Sequence, residues 1–172
     1  WLASYPKSGN TFVRSMLASY FFSKDGSYDF SLIKNIKQFP NIKLFEDLGI
    51  DITNEKEVIA NYVRVQQSFN KRESIQFLKT HSYLFNIENN AFTDLNNTLG
   101  VIYIVRDPRN VVTSLANHKA LTTDDATDVL TNSWCVEGNL NSFNYTERTT
   151  LYTGTWASNY KSWQPFKSQG KY

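Results

Sequence analysis

Gly100-Val101-Ile102-Tyr103-Ile104-Val105-Arg106-Asp107-Pro108-Arg109-Asn110-Val111-Val112-Thr113-Ser114 is the stretch whose reading decides the fold. Val101 to Val105 is β-branched, aromatic and apolar on both faces. That is the signature of a parallel strand covered by helices on both sides. Asp is a favoured helix N-cap and Pro is preferred at the first helical position, so Asp107-Pro108 starts a helix directly after the strand. The same strand-then-helix order recurs upstream. Trp1 to Tyr5 reads as the end of a strand, and Pro6-Lys7-Ser8-Gly9 as a turn. Val13, Met16, Leu17, Tyr20 and Phe21 then follow at the i, i+3, i+4 spacing of one buried helix face. Glu55 to Phe69 predicts a helix with Val58, Ile59, Tyr62, Val65 and Phe69 on one side. Ile75-Gln76-Phe77-Leu78 predicts a short strand that ends in Lys79-Thr80-His81. Strands alternating with helices make the class α/β with a largely parallel sheet.

The remaining segments fit around that frame. Residues 23–54 carry Asp-Gly, Phe-Pro and Leu-Gly punctuation and predict loops and short helices. Asn86 to Thr98 predicts an Asn-rich loop. Thr123 to Trp134 predicts a helix with a Thr-Asp-Asp start, and Asn139 to Thr153 a polar loop. Thr155 to Trp163 predicts a helix with Trp156, Tyr160 and Trp163 at i, i+4 and i+7. No internal repeat, low-complexity tract or linker interrupts the chain.

Composition narrows the function classes. The chain has 172 residues, enough for one core without disulfide or metal staples. The formal net charge is +2, which gives no bulk drive towards nucleic acid or an anionic membrane. Any anion site must come from local placement of charge. The single cysteine, Cys135, excludes an internal disulfide and a multi-Cys zinc site. His81 and His118 are the only histidines, so no His-rich metal centre is expected. No apolar run approaches the ~20 residues of a membrane helix, and no secretory pattern opens the chain. It begins at Trp1 and its one Met is Met16, so a fragment or trimmed chain is expected.

Topology points to a site. In open α/β sheets, ligands bind outside the carboxyl ends of the strands. Tyr5 to Thr11, Lys79 to His81 and Arg106 onward are such ends, and they gather Lys7, Lys79, His81 and Arg106 into an expected anion pocket. In Tyr5-Pro6-Lys7-Ser8-Gly9-Asn10-Thr11-Phe12, the backbone N–H groups of a helix start and its dipole favour phosphate. Gly9 permits close approach. Lys7 adds charge, and Ser8 and Thr11 add hydroxyls. The Walker pattern is absent, because Lys precedes Gly and there is no first Gly. The alternative is an ordinary turn with a surface Lys. From Pro108 to Ser114 a helix rises about 9 Å, so Arg106 and Ser114 can hold one anionic group between them. Alternatively, Arg106 pairs with Asp107 or another carboxylate and Ser114 only packs. His81 is a candidate general base near neutral pH, or simply a satisfied polar residue. His118 reads as a favourable cation near a helix C-terminus.

Together these segments resemble a sulfotransferase of the cytosolic type that uses 3′-phosphoadenosine 5′-phosphosulfate (PAPS). Tyr5-Pro6-Lys7-Ser8-Gly9 resembles the family's loop for the 5′-phosphosulfate. Arg106 through Ser114 resembles its 3′-phosphate site, and Lys79-Thr80-His81 its Lys-Thr-His segment. Gly154-Thr155-Trp156 with Trp163 is similar to a later helix, where Gly-Ser-Trp is commoner. The ordered set spans essentially the whole chain. The resemblance implies a three-layer P-loop-like fold with a central, mostly parallel sheet flanked by helices. It implies that Lys7 contacts the phosphosulfate and stabilises charge on the leaving phosphate. Ser8, Gly9, Asn10 and Thr11 would wrap the 5′-phosphate, and Phe12 would stack on the adenine. Arg106 and Ser114 would hold the 3′-phosphate. His81 would take the proton of an acceptor hydroxyl or amine, with Lys79 beside the transferring sulfonyl group. PAPS is the implied donor, PAP the product, and no metal is implied.

The sequence also departs from the family pattern. Asn10 stands where Thr is common, Phe12 where Trp is common, and Ser82 where relatives place an apolar residue. Asp107-Pro108-Arg109 resembles bacterial members and the Golgi class, whereas the Tyr-Pro-Lys-Ser-Gly loop favours the cytosolic type and a cytoplasmic location. The family continues into another strand and an Arg-Lys-Gly segment that also grips the 3′-phosphate. Residues 1–172 are therefore expected to be one incomplete domain, trimmed at both ends and weak in turnover by itself. The acceptor is expected to be a small molecule or glycan, read by loops at 23–54, 86–98 and 138–153. Nucleic-acid and membrane partners are not expected, and nothing argues for a homodimer. The rival readings are a P-loop nucleotide kinase or other phosphotransferase, and a nucleotide-binding relative without turnover.

Overall fold

The computed structural model describes residues 1–70, 75–132, 136–137 and 151–172. In chain order the elements are β1 (Leu2–Ser4), α1 (Asn10–Phe22), a 3-10 helix (Phe30–Asn35), β2 (Lys37–Gln38), α2 (Ile42–Glu46), α3 (Glu55–Ala60) and α4 (Tyr62–Asn70). There follow β3 (Leu78–Thr80), β4 (Asn86–Ile87), β5 (Asn90–Ala91), β6 (Ile102–Ile104), α5 (Pro108–Lys119), α6 (Thr123–Thr131), β7 (Val136–Glu137), β8 (Leu151–Tyr152), α7 (Trp156–Trp163) and α8 (Pro165–Ser168).

The central sheet runs β2-β3-β1-β6 and is parallel throughout, flanked by helices, as the alternating pattern predicts. Of its two inner strands, β1 is fully buried. It pairs Leu2 with Lys79 on one side and with Ile102 on the other. An aromatic cluster of Phe39, Phe45, Tyr62, Phe85, Phe92 and Trp163 forms the larger core. Burying each such side chain contributes roughly 1.5–3 kcal/mol. A second cluster joins Tyr5 to Val111, Leu115, Ala126 and Leu130 beneath α5 and α6. The α5 start matches its prediction: the Asp107 side chain accepts from the Arg109 amide, and Pro108 opens the helix. No described helix is long and apolar enough to cross a membrane.

Several expectations need correction. The apolar stripe of α1 is not its buried face. Tyr20 is 79% exposed and Met16 57%. The inward face runs through Asn10, Arg14 and Ala18, because polar groups there find partners: Asn10 in β1 and Arg14 at the Ile33 carbonyl. The strand at 101–105 is parallel but not covered on both faces. Within β6, the edge strand, Ile102 is 47% exposed, and Val105, just past its end, is 57% exposed. Pairing with β1 and β2 shifts β3 later than predicted, to Leu78–Thr80, so that Lys79 and Thr80 lie within the strand. Residues 55–69 form two helices, because Asn61 turns its side chain back onto the Glu57 carbonyl and breaks the ladder. The Asn-rich loop contains the β4–β5 hairpin. The helix predicted to Trp134 ends at Thr131, and Trp134 lies outside the described residues, as does most of the Asn139–Thr153 loop. The described end of that loop forms β8, paired with β7.

Candidate functional site

The parallel sheet places four strand ends side by side, and a cleft of about 760 Å³ opens over them. Lys7, Gly9, Asn10, Thr11, Lys79, His81, Arg106 and Ser114 all line it. A cavity of about 830 Å³ at the opposite ends of the strands involves Phe69, Leu78 and Leu99 and none of the candidate residues.

The loop after β1 is shaped for an anion. Lys7 adopts a left-handed conformation at φ 65°, and Gly9 at φ 97°. A side chain at Gly9 would be strained in that conformation, although the space beside it is open. Gly9 precedes α1 with no side-chain cap, and the first turn of α1 carries no carboxylate. The amide groups there keep their affinity for an anion. Ser8 Oγ and Asn10 Oδ1 are buried without a hydrogen-bond partner. A loop with a buried orphan hydroxyl, uncapped amides and a lysine fits a phosphate-bearing group.

The Asn10 side chain itself turns inward. Its Nδ2 donates to the Ser4 hydroxyl at 3.1 Å and to the Leu2 carbonyl at 3.3 Å. Asn10 therefore faces an anion with its backbone, while its amide braces β1. Ser8 is buried and does not line the cleft. Phe12 stands apart from the cleft lining and is 70% exposed.

Arg106 follows β6 and its Nη1 donates to the Lys7 carbonyl at 3.0 Å, across 99 residues of sequence. The ion pair with Asp107 does not form, because Asp107 binds Arg109 at 2.6 Å. That side-chain bond, with the Arg109 amide, holds the Asp107 carboxyl down to about 2. Ser114 lies on α5 and His118 one turn later, and both line the cleft.

His81 follows β3. Its Nδ1 lies 2.9 Å from the Ser4 carbonyl and 3.1 Å from the Ser4 hydroxyl. A carbonyl only accepts, so Nδ1 carries the proton, and in the neutral ring Nε2 holds the basic lone pair. The chain from His81 onward is pinned by α7. Asn159 Nδ2 donates to the His81 carbonyl at 2.9 Å, and Trp163 Nε1 to the Ser82 carbonyl at 3.1 Å. A capping box at Thr155 and Ser158 starts α7. Gly154 before it sits at φ 64°, where a Cβ would stand 2.6 Å from Ser158 Oγ. Lys79 is buried, and its ammonium donates to Gln38 Oε1 at 2.6 Å.

Sequence reasoning missed Arg14, Lys34, Gln38, Asn41 and the position of His118, all of which line the cleft. Arg14 was legible as the residue one helical turn after Asn10. Gln38 was not, because β2 is polar and two residues long.

A family model described as a sulfotransferase domain matches residues 1–172. No curated protein matches the sequence.

Proposed function

The chain belongs to the sulfotransferase domain family and is a sulfotransferase; on that premise we propose that its sulfonyl donor is PAPS and that His81 is the general base. The observation that carries this reading is the shared cleft, in which Lys7, Lys79, His81, Arg106 and Ser114 meet from separate strand ends. When bound, the donor supplies an activated sulfonyl group that an acceptor oxygen or nitrogen displaces in line. The loop at Ser8, Gly9, Asn10 and Thr11 would hold the 5′-phosphate through its amides and the buried Ser8 hydroxyl. Lys7 would offset the negative charge that grows on the leaving phosphate, and Arg106 and Ser114 would hold the 3′-phosphate. Phe12 would stack on the adenine from outside the cleft lining.

With its Nδ1 proton on the Ser4 carbonyl, His81 would take the acceptor proton at Nε2. A positioned base is typically worth about 10²- to 10⁴-fold. Fixed cations and amides act without reorganising, so positioning and charge supply most of the remainder. The test is PAP titration of the complete protein, followed by transfer from labelled PAPS. Saturable PAP binding with label transfer is expected. Failure to bind PAP overturns the donor, and PAP binding without transfer to any acceptor leaves a nucleotide-binding relative.

A further inference from the structure

The sheet order separates the two ends of the cleft. Arg106 and Ser114 follow β6, the Lys7 loop follows β1, His81 follows β3, and Gln38 ends β2 at the far side. If the donor spans the β6 and β1 ends, as proposed above, an acceptor reaches His81 from the β2 side. That side is formed by Arg14, Lys34, Gln38 and Asn41, with Ile33 as the apolar exception. Arg14 Nη2 donates to the Ile33 carbonyl at 3.0 Å, which docks α1 against the 3-10 helix that carries Lys34. Lys34 is exposed, and Gln38 and Asn41 are half-buried. Among the described residues that line the cleft there is no Asp or Glu.

Gln38 Oε1 already accepts from Lys79 Nζ at 2.6 Å and Asn41 Oδ1 from the Lys43 amide at 3.1 Å. A flat apolar acceptor seated here would still strip water from Lys34 and from the remaining polar capacity of both carboxamides without replacing it, which is unfavourable. A saccharide returns hydroxyl partners to the carboxamides, and a carboxylate on it adds a charge-assisted contact to Lys34. We propose that the acceptor is an anionic saccharide, bound at the β2 end of the cleft through Lys34, Gln38 and Asn41. The inference rests on the donor reading above. A rim lysine also makes capture of such an acceptor dependent on ionic strength.

The test sets an oligoglucuronate, a neutral oligosaccharide of equal length and 4-nitrophenol against labelled PAPS with the complete protein. Binding of each to the PAP-loaded protein is measured by calorimetry. The oligoglucuronate is expected to exceed the neutral sugar about tenfold in kcat/KM or affinity, with the phenol weakest. Lys34→Glu is expected to weaken the oligoglucuronate about fivefold, to leave the neutral sugar nearly unchanged and to spare PAP affinity. Three results would overturn the proposal: no oligoglucuronate binding or turnover by PAP-loaded protein, equal or better use of the neutral sugar or phenol, or an equal effect of Lys34→Glu on both sugars. Loss of PAP binding in the unmodified protein strikes the donor reading instead, so the two failures are distinct.

Discussion

The His81 imidazole donates from Nδ1 to the Ser4 carbonyl at 2.9 Å, joining the end of β3 to the end of β1. The Ser4 hydroxyl lies 3.1 Å from the same nitrogen and accepts from Asn10 Nδ2 at 3.1 Å. One amide at the start of α1 thus braces the residue on which the ring rests. Asn10→Ala keeps the backbone amides of the loop and removes this brace together with the donation to the Leu2 carbonyl. The expected result is a kcat about tenfold lower with PAP affinity changed little, because small misplacements of a reacting group are costly. A variant with wild-type kcat and pH profile would show that the brace does not orient the ring.

His81→Ala removes the base without touching the cations of the cleft. PAP affinity should stay near wild type while kcat falls at least about 100-fold. Equilibrium titration and labelled transfer read the two quantities separately. Turnover near wild type would exclude His81 as the base.

Arg106 has a structural partner as well as an expected ligand, because its guanidinium holds the Lys7 carbonyl. Arg106→Ala should therefore disturb the loop and also remove a charge from the cleft. PAP affinity is expected to fall about tenfold or more, as is typical for loss of a charged hydrogen bond. Lys7→Ala removes the charge alone and should weaken PAP less than Arg106→Ala. Unchanged affinity in both variants would sink the assignment of the site.

Asp107 carries a pH signature. Its carboxyl is held down to about 2 by Arg109, below the usual Asp value of about 3.9. A depressed folded-state value stabilises above the unfolded value and is lost as pH falls through the folded one. The Tm advantage of wild type over Asp107→Ala should therefore be full near pH 6. It should shrink as pH drops from about 4 to about 2, which thermal melts across that range can follow.

The parts of the fold that sequence reading recovered are those with strong local signals. Asp107-Pro108 caps α5 as predicted, and the strand ends converge because a parallel sheet demands it. The parts it missed depend on partners distant in sequence. α1 buries Asn10 and Ala18 and half-buries Arg14 because hydrogen bonds to Ser4 and Ile33 override its apolar stripe. β2 has no apolar pattern and exists through its ladder with β3. Arg106 was ambiguous until Asp107 was seen to bind Arg109, which left the guanidinium for the Lys7 carbonyl.

Asn159 joins α7 to β6 and to the segments that follow β3 and β8, and is fully buried. Its Nδ2 donates to the carbonyls of His81 at 2.9 Å and Thr153 at 2.7 Å, and its Oδ1 accepts from Tyr103 Oη at 2.7 Å. Burial pushes the Tyr103 phenol well above its ordinary value, so it remains a donor at working pH. Asn159→Ala leaves two carbonyls and one hydroxyl without this partner. Such losses cost about 1–3 kcal/mol each and do not add fully, so about 3 kcal/mol in total is expected. For a domain of this size that lowers Tm by roughly 6–12 °C. Asn159→Asp keeps the acceptor for Tyr103 but loses both donations and buries a charge, so it should be no better. Tyr103→Phe removes the hydroxyl together with its desolvation cost and should lose only about 1 kcal/mol. Melts of the three variants give the order, and an Asn159→Ala protein as stable as Tyr103→Phe would show that the Asn159 carboxamide does not hold α7 to the His81 segment.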